Sequence, residues 1–252
     1  MRINLRRTEY IFILISIVII SFVLGFDDGQ EVFNWSFWFA NLFKIFIIVA
    51  IGLIVHVLAH KLIARHYNTR AEYRLWIIKR WWFTESSVFQ REFPLGVVFP
   101  LFVLFFSYLA TDGRFILPFI AFETFILTSV SAARLGKKYI HLTEFEESKI
   151  AFAGPLASII LAFIFKFLAS INPGFSAFVF VNSLIAFYHM LPLPHLDGIK
   201  IYFGSKTFYI LALVFISASA LLLNYASTTA ALLLALVFAV VIAISYHYYF
   251  RT

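Results

Sequence analysis

Cysteine is absent from this chain of 252 residues, and charged residues make up only 13% of it. Without cysteine there can be no disulfide and no thiolate ligand, so any transition-metal site must be built from His, Asp or Glu. The scarcity of charge argues against a soluble domain, in which about a quarter of the residues are charged. The chain is instead 62% hydrophobic, with a mean hydropathy of +0.92, which is typical of an integral membrane protein.

Hydrophobic runs long enough to cross a bilayer recur along the whole chain. We predict eight membrane spans with loose boundaries: Tyr10–Phe26, Ser36–Ile63, Leu95–Ala110, Phe115–Ala133, Lys149–Ser170, Phe175–Leu191, Thr207–Leu223 and Thr228–His247. The third and fourth runs are short, so they could also form one hairpin or re-enter the membrane. The predicted fold is an all-α polytopic membrane protein in a single domain, residues 1–252, with a possible short membrane-proximal β-hairpin.

The first hydrophobic run follows three arginines and could be a secretory signal. It is long for a signal, and the stretch from Leu24 to Asp27 offers no small-residue cleavage site. We therefore expect this run to be retained as a membrane helix.

Basic residues are divided unevenly between the two predicted faces of the membrane. With eight crossings, fifteen of them lie on one face and Arg114 alone lies on the other. By the positive-inside rule the basic face is cytoplasmic, which places both termini in the cytoplasm. The formal charge of +7 then reflects topology, and no nucleic-acid partner is implied.

Two histidines four residues apart lie near the inner end of the second predicted span. On a helix, His56 and His60 share one face and are about one turn apart. Two imidazoles at that spacing can bind one tetrahedral metal ion. Taken alone, the pair could equally be two histidines hydrogen-bonded inside a helix bundle, although ionisable groups at such depth in a membrane are usually functional.

The sixth predicted span also runs inward, and it breaks in the segment LPLPHLDG, residues 191–198. Its two prolines cannot continue a helix, and its glycine permits a tight turn. Asp197 is therefore expected at the same membrane face as His60, where it needs a cation or a donor. We predict that His56, His60 and Asp197 bind one metal ion near the cytoplasmic face. The alternative is that Asp197 only caps its own turn.

Three segments of the chain resemble signatures of the site-2 protease family of intramembrane zinc metalloproteases. The segment HVLAHKLIAR at 56–65 resembles the family's H-E-x-x-H helix. The segment AGPLAS at 153–158 resembles its G-P-x-x-N/S segment, and LPLPHLDG at 191–198 resembles its N-x-x-P-x-P-x-L-D-G signature. The resemblance extends over most of the chain. It implies zinc as the metal and His56, His60 and Asp197 as its ligands. In that family, zinc-bound water attacks a peptide bond in a transmembrane segment of the substrate.

Two residues depart from the family pattern. Val57 occupies the position of the glutamate that acts as general base, and valine cannot accept a proton. The loss of a positioned base should lower the rate by about 10²–10⁴. His189 occupies the position of the signature asparagine. It is either a substitute donor or base, or a fourth metal ligand that would close the site and make it structural rather than catalytic.

These features favour a site-2-protease-like membrane metalloprotein that is weakly active or inactive as a peptidase. Such a protein could bind single-span membrane proteins within the lipid bilayer or regulate an active relative. One alternative is an active intramembrane zinc metalloprotease with His189 as the substitute base. Another is a small polytopic carrier or metal-handling protein.

Charged residues inside two predicted spans suggest a further contact. Lys44 in the second span and Glu123 in the fourth are predicted at similar depth, about 12 Å from the outer face. An ion pair between adjacent helices is the simplest account of them. The other possibility, that Glu123 replaces the missing base, is not favoured because it should lie several ångströms above His56.

Residues 64–93 form a predicted cytoplasmic segment at the membrane interface. Within it, Ala71–Ile78 is rich in strand formers, and a turn is predicted at residues 85–87 before a second strand. An exposed strand edge there could capture a peptide by strand addition. The alternative is an interfacial belt of aromatic residues and arginines.

Overall fold

The computed structural model of this protein describes residues 6–30, 32–80, 88–120, 123–129 and 142–250. The helices are α1 Arg7–Gly25, α2 Trp35–His66, α3 Leu95–Ala110, α4 Glu144–Ala169, α5 Ser176–His189, α6 Asp197–Gly204, α7 Lys206–Tyr225 and α8 Thr228–Phe250. The strands are β1 Thr69–Leu75, β2 Ile78–Arg80, β3 Val88–Phe93 and β4 Glu123–Ser129. Within these residues, five helices (α1, α2, α4, α7 and α8) are long and apolar enough to cross a membrane, and α3 is a shorter apolar helix. The all-α membrane class is confirmed, with five helices of that length where eight spans are predicted.

Polar caps fix the starts of the two helices that matter most for the site. Asn34 precedes α2, and its side-chain oxygen accepts a hydrogen bond from the Ser36 amide at 2.9 Å. Thr143 and Glu146 form a capping box at the start of α4, with each side chain accepting from the other's backbone amide. Such caps satisfy amides that have no partner within the helix. Both helices therefore begin at defined residues, and this fixes the position of each of their side chains along the helix axis.

The predicted fourth span, Phe115–Ala133, is wrong. Residues 115–120 are neither helix nor strand, residues 123–129 form β4, and residues 121–122 and 130–133 lie outside the described part of the chain. Strand β4 pairs antiparallel with β1 over seven residue pairs, from Thr69 opposite Ser129 to Leu75 opposite Glu123. A short apolar run is compatible with either a helix or a buried strand. Here the run forms a strand because β1 provides backbone hydrogen-bond partners for residues 123–129.

The predicted ion pair between Lys44 and Glu123 is also wrong, since the backbone keeps the two residues apart. Glu123 begins β4, and two residues later the ring of Phe125 lies 4.6 Å from the ring of His60. Lys44 precedes His60 by sixteen residues on the same helix, which corresponds to about 24 Å along its axis. The error follows directly from treating β4 as part of a membrane helix.

The interfacial segment 64–93 contains the predicted strands, but their pairing is only partly as expected. Strands β2 and β3 form an antiparallel pair, while the turn predicted at residues 85–87 lies outside the described residues. Strand β1 pairs with β4 instead. A buried hydrogen bond of 2.7 Å from the Tyr73 hydroxyl to Ser16 Oγ fixes β1 against α1.

Close packing of α2 against α5 brings their inner ends together. At Gly52 on α2, an added Cβ would lie 2.6 Å from the side-chain oxygen of Asn182 on α5. That separation is too short for any side chain, so glycine permits the approach. Around the contact lies an apolar core that includes Ile48, Leu53 and Ile185, each no more than 1% exposed. His56 lies about one turn beyond Gly52 and His189 about two turns beyond Asn182, so both are brought into the same region.

Candidate metal centre

Three separate elements deliver four polar side chains to one buried place. His56 and His60 come from α2, His189 is the last residue of α5, and Asp197 is the first residue of α6. Each of the four is between 1% and 5% exposed. Buried ionisable groups must be paired or coordinate a cation. The convergence predicted from the sequence is therefore present in the fold.

His56, His60 and Asp197 form a small triangle of possible ligand atoms. The Nε2 atoms of the two histidines are 3.1 Å apart. Asp197 Oδ2 lies 3.4 Å from His56 Nε2 and 3.2 Å from His60 Nε2. Ligands about 2.0–2.1 Å from a tetrahedral zinc ion are separated from one another by about 3.3 Å. The triangle thus has the dimensions of three ligands that share one ion.

Helix α4 holds both imidazoles in the orientation that this triangle requires. His60 Nδ1 donates to the carbonyl oxygen of Ile150 at 2.7 Å, which leaves Nε2 as the atom with a lone pair. His56 Nδ1 is 3.0 Å from the hydroxyl oxygen of Ser158. Metal-binding histidines usually engage their second ring nitrogen in this way, and the partner fixes both tautomer and ring orientation.

Gly154 explains why α4 can lie so close to the histidines. A Cβ atom at this position would overlap the Nε2 atoms of both His60 and His56. Gly154 therefore lies directly against the two imidazoles, and the side chain of any larger residue would occupy the space that they fill. Pro155 follows within the same helix. The sequence segment AGPLAS thus contributes a close backbone approach at Gly154 and an imidazole partner at Ser158.

Asp197 is presented by the break between α5 and α6. His195 adopts a left-handed backbone conformation with φ of 72°, and the hydroxyl of Tyr209 donates to the carbonyl oxygen of Met190 at 3.2 Å. These features hold the turn that starts α6 with Asp197. In the described part of the chain, the buried Asp197 Oδ2 accepts no hydrogen bond of ordinary geometry. A buried carboxylate oxygen that faces two imidazole nitrogens fits a bound cation.

His189 lies within the same group. Its Nδ1 donates to the carbonyl oxygen of Ile185 at 2.8 Å, and its ring centroid is 4.3 Å from that of His56. Possible ligand atoms of His56, His189 and Asp197 all lie within 4.8 Å of one another, a grouping found nowhere else among the described residues. His189 therefore places a third imidazole beside the candidate ligands.

The space at the centre is very small. It is a cavity of about 10 Å³ lined by His56, His60, Tyr73, Thr124, Phe125, His189 and Asp197. About 10–15 Å³ is the least that holds one water. Val57 is 4% exposed and packs in the apolar core. Among the side chains that the structure describes around the cavity, Asp197 is the only carboxylate.

Strand β4 forms one wall of this cavity, a feature that the sequence did not reveal. The ring of Phe125 lies 4.6 Å from the ring of His60. Lys200, one turn beyond Asp197 on α6, donates to the carbonyl oxygen of Phe125 at 2.6 Å, and its ammonium lies 3.3 Å from the centre of that ring. Two signals in the sequence could have indicated this wall: Lys200 lies one helical turn beyond Asp197, and residues 123–129 are rich in strand formers.

The apolar helices and the buried group of two histidines and an aspartate define an integral membrane protein with a candidate metal centre. The chain is 30% identical over 204 residues to a protein of Methanocaldococcus jannaschii named "Putative zinc metalloprotease MJ0611", a match that covers 77% of this chain and 83% of that protein. This chain belongs to the same metalloprotease family. No protein-family model matches it, and no solved structure does.

Proposed function

We propose that this protein is a membrane metalloprotein of the site-2 protease type that binds zinc through His56, His60 and Asp197 and has weak or no peptidase activity. The observation that carries this proposal is the buried triangle of two imidazole nitrogens and a carboxylate oxygen, with sides of 3.1 to 3.4 Å. The relative named as a zinc metalloprotease supports zinc as the metal.

The donor set fits zinc on chemical grounds. Neutral imidazole and carboxylate are common zinc ligands, and two histidines with one carboxylate occur in catalytic zinc sites. When bound, zinc supplies Lewis acidity that polarises a carbonyl or a water. Ser158 and the carbonyl of Ile150 hold the two imidazoles so that their Nε2 atoms face the carboxylate.

Two features argue against strong proteolysis. The first is Val57, which cannot take up a proton and is packed in the apolar core. The second is the size of the cavity, about 10 Å³, which has no room for a peptide group in addition to an ion. A positioned general base increases the reaction rate by about 10²–10⁴. Any residual cleavage rate of this protein would therefore be lower by at least that factor than the rate of a site that contains the glutamate.

An active protease that uses His189 as its base is the second candidate. The observation that favours it is the position of His189, whose possible ligand atom lies within 4.8 Å of those of His56 and Asp197. The same position suits a fourth zinc ligand, and these two roles exclude each other. A base must leave the fourth coordination position open to water, whereas a ligand occupies it.

The proposal includes an orientation and a kind of partner. In the proposed orientation both termini are cytoplasmic and the candidate metal centre lies near the cytoplasmic side of the membrane; the excess of basic residues on one predicted face supports it. The proposed partner is a single-span membrane protein, bound by the surrounding helices within the bilayer rather than cleaved at the metal centre.

The peptidase claim is tested with the purified protein in detergent and a fluorescent helical substrate that an active site-2 protease cleaves. We expect no product above background from the wild type. The double variant Val57→Glu, His189→Asn restores the family residues at both positions and should raise cleavage by at least about 10². The same double variant carrying Asp197→Asn is the matched control and should return to background.

Rapid cleavage by the wild type, abolished by His189→Ala with zinc retained, would replace our proposal with the second candidate. A double variant that binds zinc but remains inactive would show that the defect does not lie in Val57 and His189.

A further inference from the structure

A second cavity lies at the end of the helix bundle opposite the metal centre. It has a volume of about 670 Å³, is only partly enclosed, and is bounded by the ends of α1 and α3 with the loops that follow them and by the start of α2. Trp38, which lines it, precedes His56 by eighteen residues on α2, or about 27 Å along the helix axis. The cavity is therefore independent of the candidate metal centre.

Aromatic rings form much of its wall. Trp35 and Trp38 lie 6.3 Å apart in an edge-to-face arrangement, and Phe26 and Tyr108 pair in the same way at 5.7 Å. The indole N–H of Trp38 donates to the carbonyl oxygen of Phe26 at 2.8 Å, which fixes this ring against the end of α1. The ring of Trp38 is thus held in place before any ligand arrives.

Three carboxylates accompany the rings. Asp27, Asp28 and Asp112 line the cavity, whereas none of its described lining residues is Lys, Arg or His. Asp28 Oδ1 accepts a hydrogen bond from the Gln30 amide at 3.1 Å. Asp28 Oδ2 is buried and has no hydrogen-bond partner among the described residues. A buried anionic oxygen without a donor is unfavourable, and a cation in the cavity would compensate it.

The geometry argues for an organic cation rather than a metal ion. Apart from the metal centre, no three carboxylates or histidines among the described residues bring their ligand atoms within 4.8 Å of one another. Calcium and magnesium need a compact shell of about six or more oxygens. The observed volume of about 670 Å³ is instead that of a small-molecule site, for which about 300–1,000 Å³ is usual.

We propose that this cavity binds an ammonium group carrying apolar substituents. The faces of Trp35, Trp38 and Tyr108 attract such a cation through their quadrupoles, and the three aspartates supply the opposite charge. The ammonium belongs either to a free amine or to the headgroup of a membrane lipid, since tryptophan and tyrosine at helix ends lie at headgroup depth.

The test uses the full-length protein in an uncharged detergent. Tetraethylammonium chloride is titrated while tryptophan fluorescence is recorded, against sodium chloride at equal ionic strength. We expect saturable quenching by the ammonium salt alone. Asp28→Asn and Trp38→Phe should each weaken binding by about tenfold, whereas Ser170→Ala, at the exposed end of α4, should leave it unchanged. Zinc content and the melting temperature show whether each variant is folded.

A second arm distinguishes the sources of the ammonium group. The protein is placed in nanodiscs of a choline lipid or of a glycerol lipid of the same chains, and tetraethylammonium binding is measured again. Competition in choline nanodiscs alone identifies a lipid headgroup, while equal binding in both identifies a free amine. Quenching that sodium reproduces, that never saturates, or that persists unchanged in folded Asp28→Asn would overturn the proposal.

Discussion

Gly154 lies so close to His60 that a Cβ atom at Gly154 would overlap the imidazole Nε2 of His60. The absence of a side chain at this point on α4 is therefore a condition for the two histidines of α2 to approach the carboxylate. Gly154→Ala should displace both imidazoles and lower bound zinc to background in the purified protein, measured by elemental analysis. Gly25→Ala is the control, because a Cβ there meets its nearest neighbour at an ordinary 3.4 Å. Full zinc content in Gly154→Ala would show that the site tolerates the shift.

Ser158 orients His56 without reaching the metal position itself. Loss of its hydroxyl, which lies 3.0 Å from His56 Nδ1, should free the ring to rotate. Partners of this kind contribute about 10–100-fold in metal affinity. Ser158→Ala should weaken zinc binding by that factor in a chelator competition. Ser170→Ala, at the exposed end of the same helix, should have no effect.

Lys200 fixes β4 over the metal centre through its 2.6 Å hydrogen bond to the carbonyl oxygen of Phe125. Lys200→Met should loosen this wall and expose Thr124, which lines the cavity. Because the chain has no cysteine, Thr124→Cys introduces a unique thiol whose labelling rate reports access. We expect faster labelling when Lys200→Met is added, and no change when Lys206→Met is added. Equal rates in all three proteins would show that Lys200 does not hold the strand.

A buried ion pair connects α1 to the helix that carries the histidines. Lys61 Nζ lies 2.6 Å from Glu9 Oε1, with both side chains no more than 6% exposed. Removal of one partner leaves an uncompensated charge, which costs about 3–5 kcal/mol. Glu9→Gln or Lys61→Met should lower the free energy of unfolding in detergent by that amount, and the double variant should lose less than the sum. The exposed pair of Lys79 and Glu92 serves as control and should contribute within about 1 kcal/mol.

The grouping of His56, His60 and Asp197 was largely predictable from the sequence, because each part of it has a local pattern. Helical spacing places His56 and His60 on one face, and the proline-rich break sends Asp197 to the same end of the bundle. Gly154 and Ser158 lie in a segment that the family resemblance indicated, although their contacts with the imidazoles emerged only from the fold.

Strand β4 could not be predicted in the same way, because its identity depends on a partner distant in the chain. The run from Phe115 to Ala133 is as hydrophobic as a membrane span, and only pairing with β1 shows that residues 123–129 are extended. The roles of Phe125 and Lys200 follow from that pairing. For the same reason, the Glu123–Lys44 contact was misplaced.

The zinc content of the purified protein tests the central claim most directly. We predict one zinc ion per chain in the wild type and background levels in His56→Ala, His60→Ala and Asp197→Asn. His66→Ala is the matched control, since this histidine lies at the exposed end of α2, with its ring 5.2 Å from that of Tyr67 between centroids, and it should retain the full amount. A wild type without zinc after reconstitution, or undiminished zinc in folded Asp197→Asn, would contradict the account.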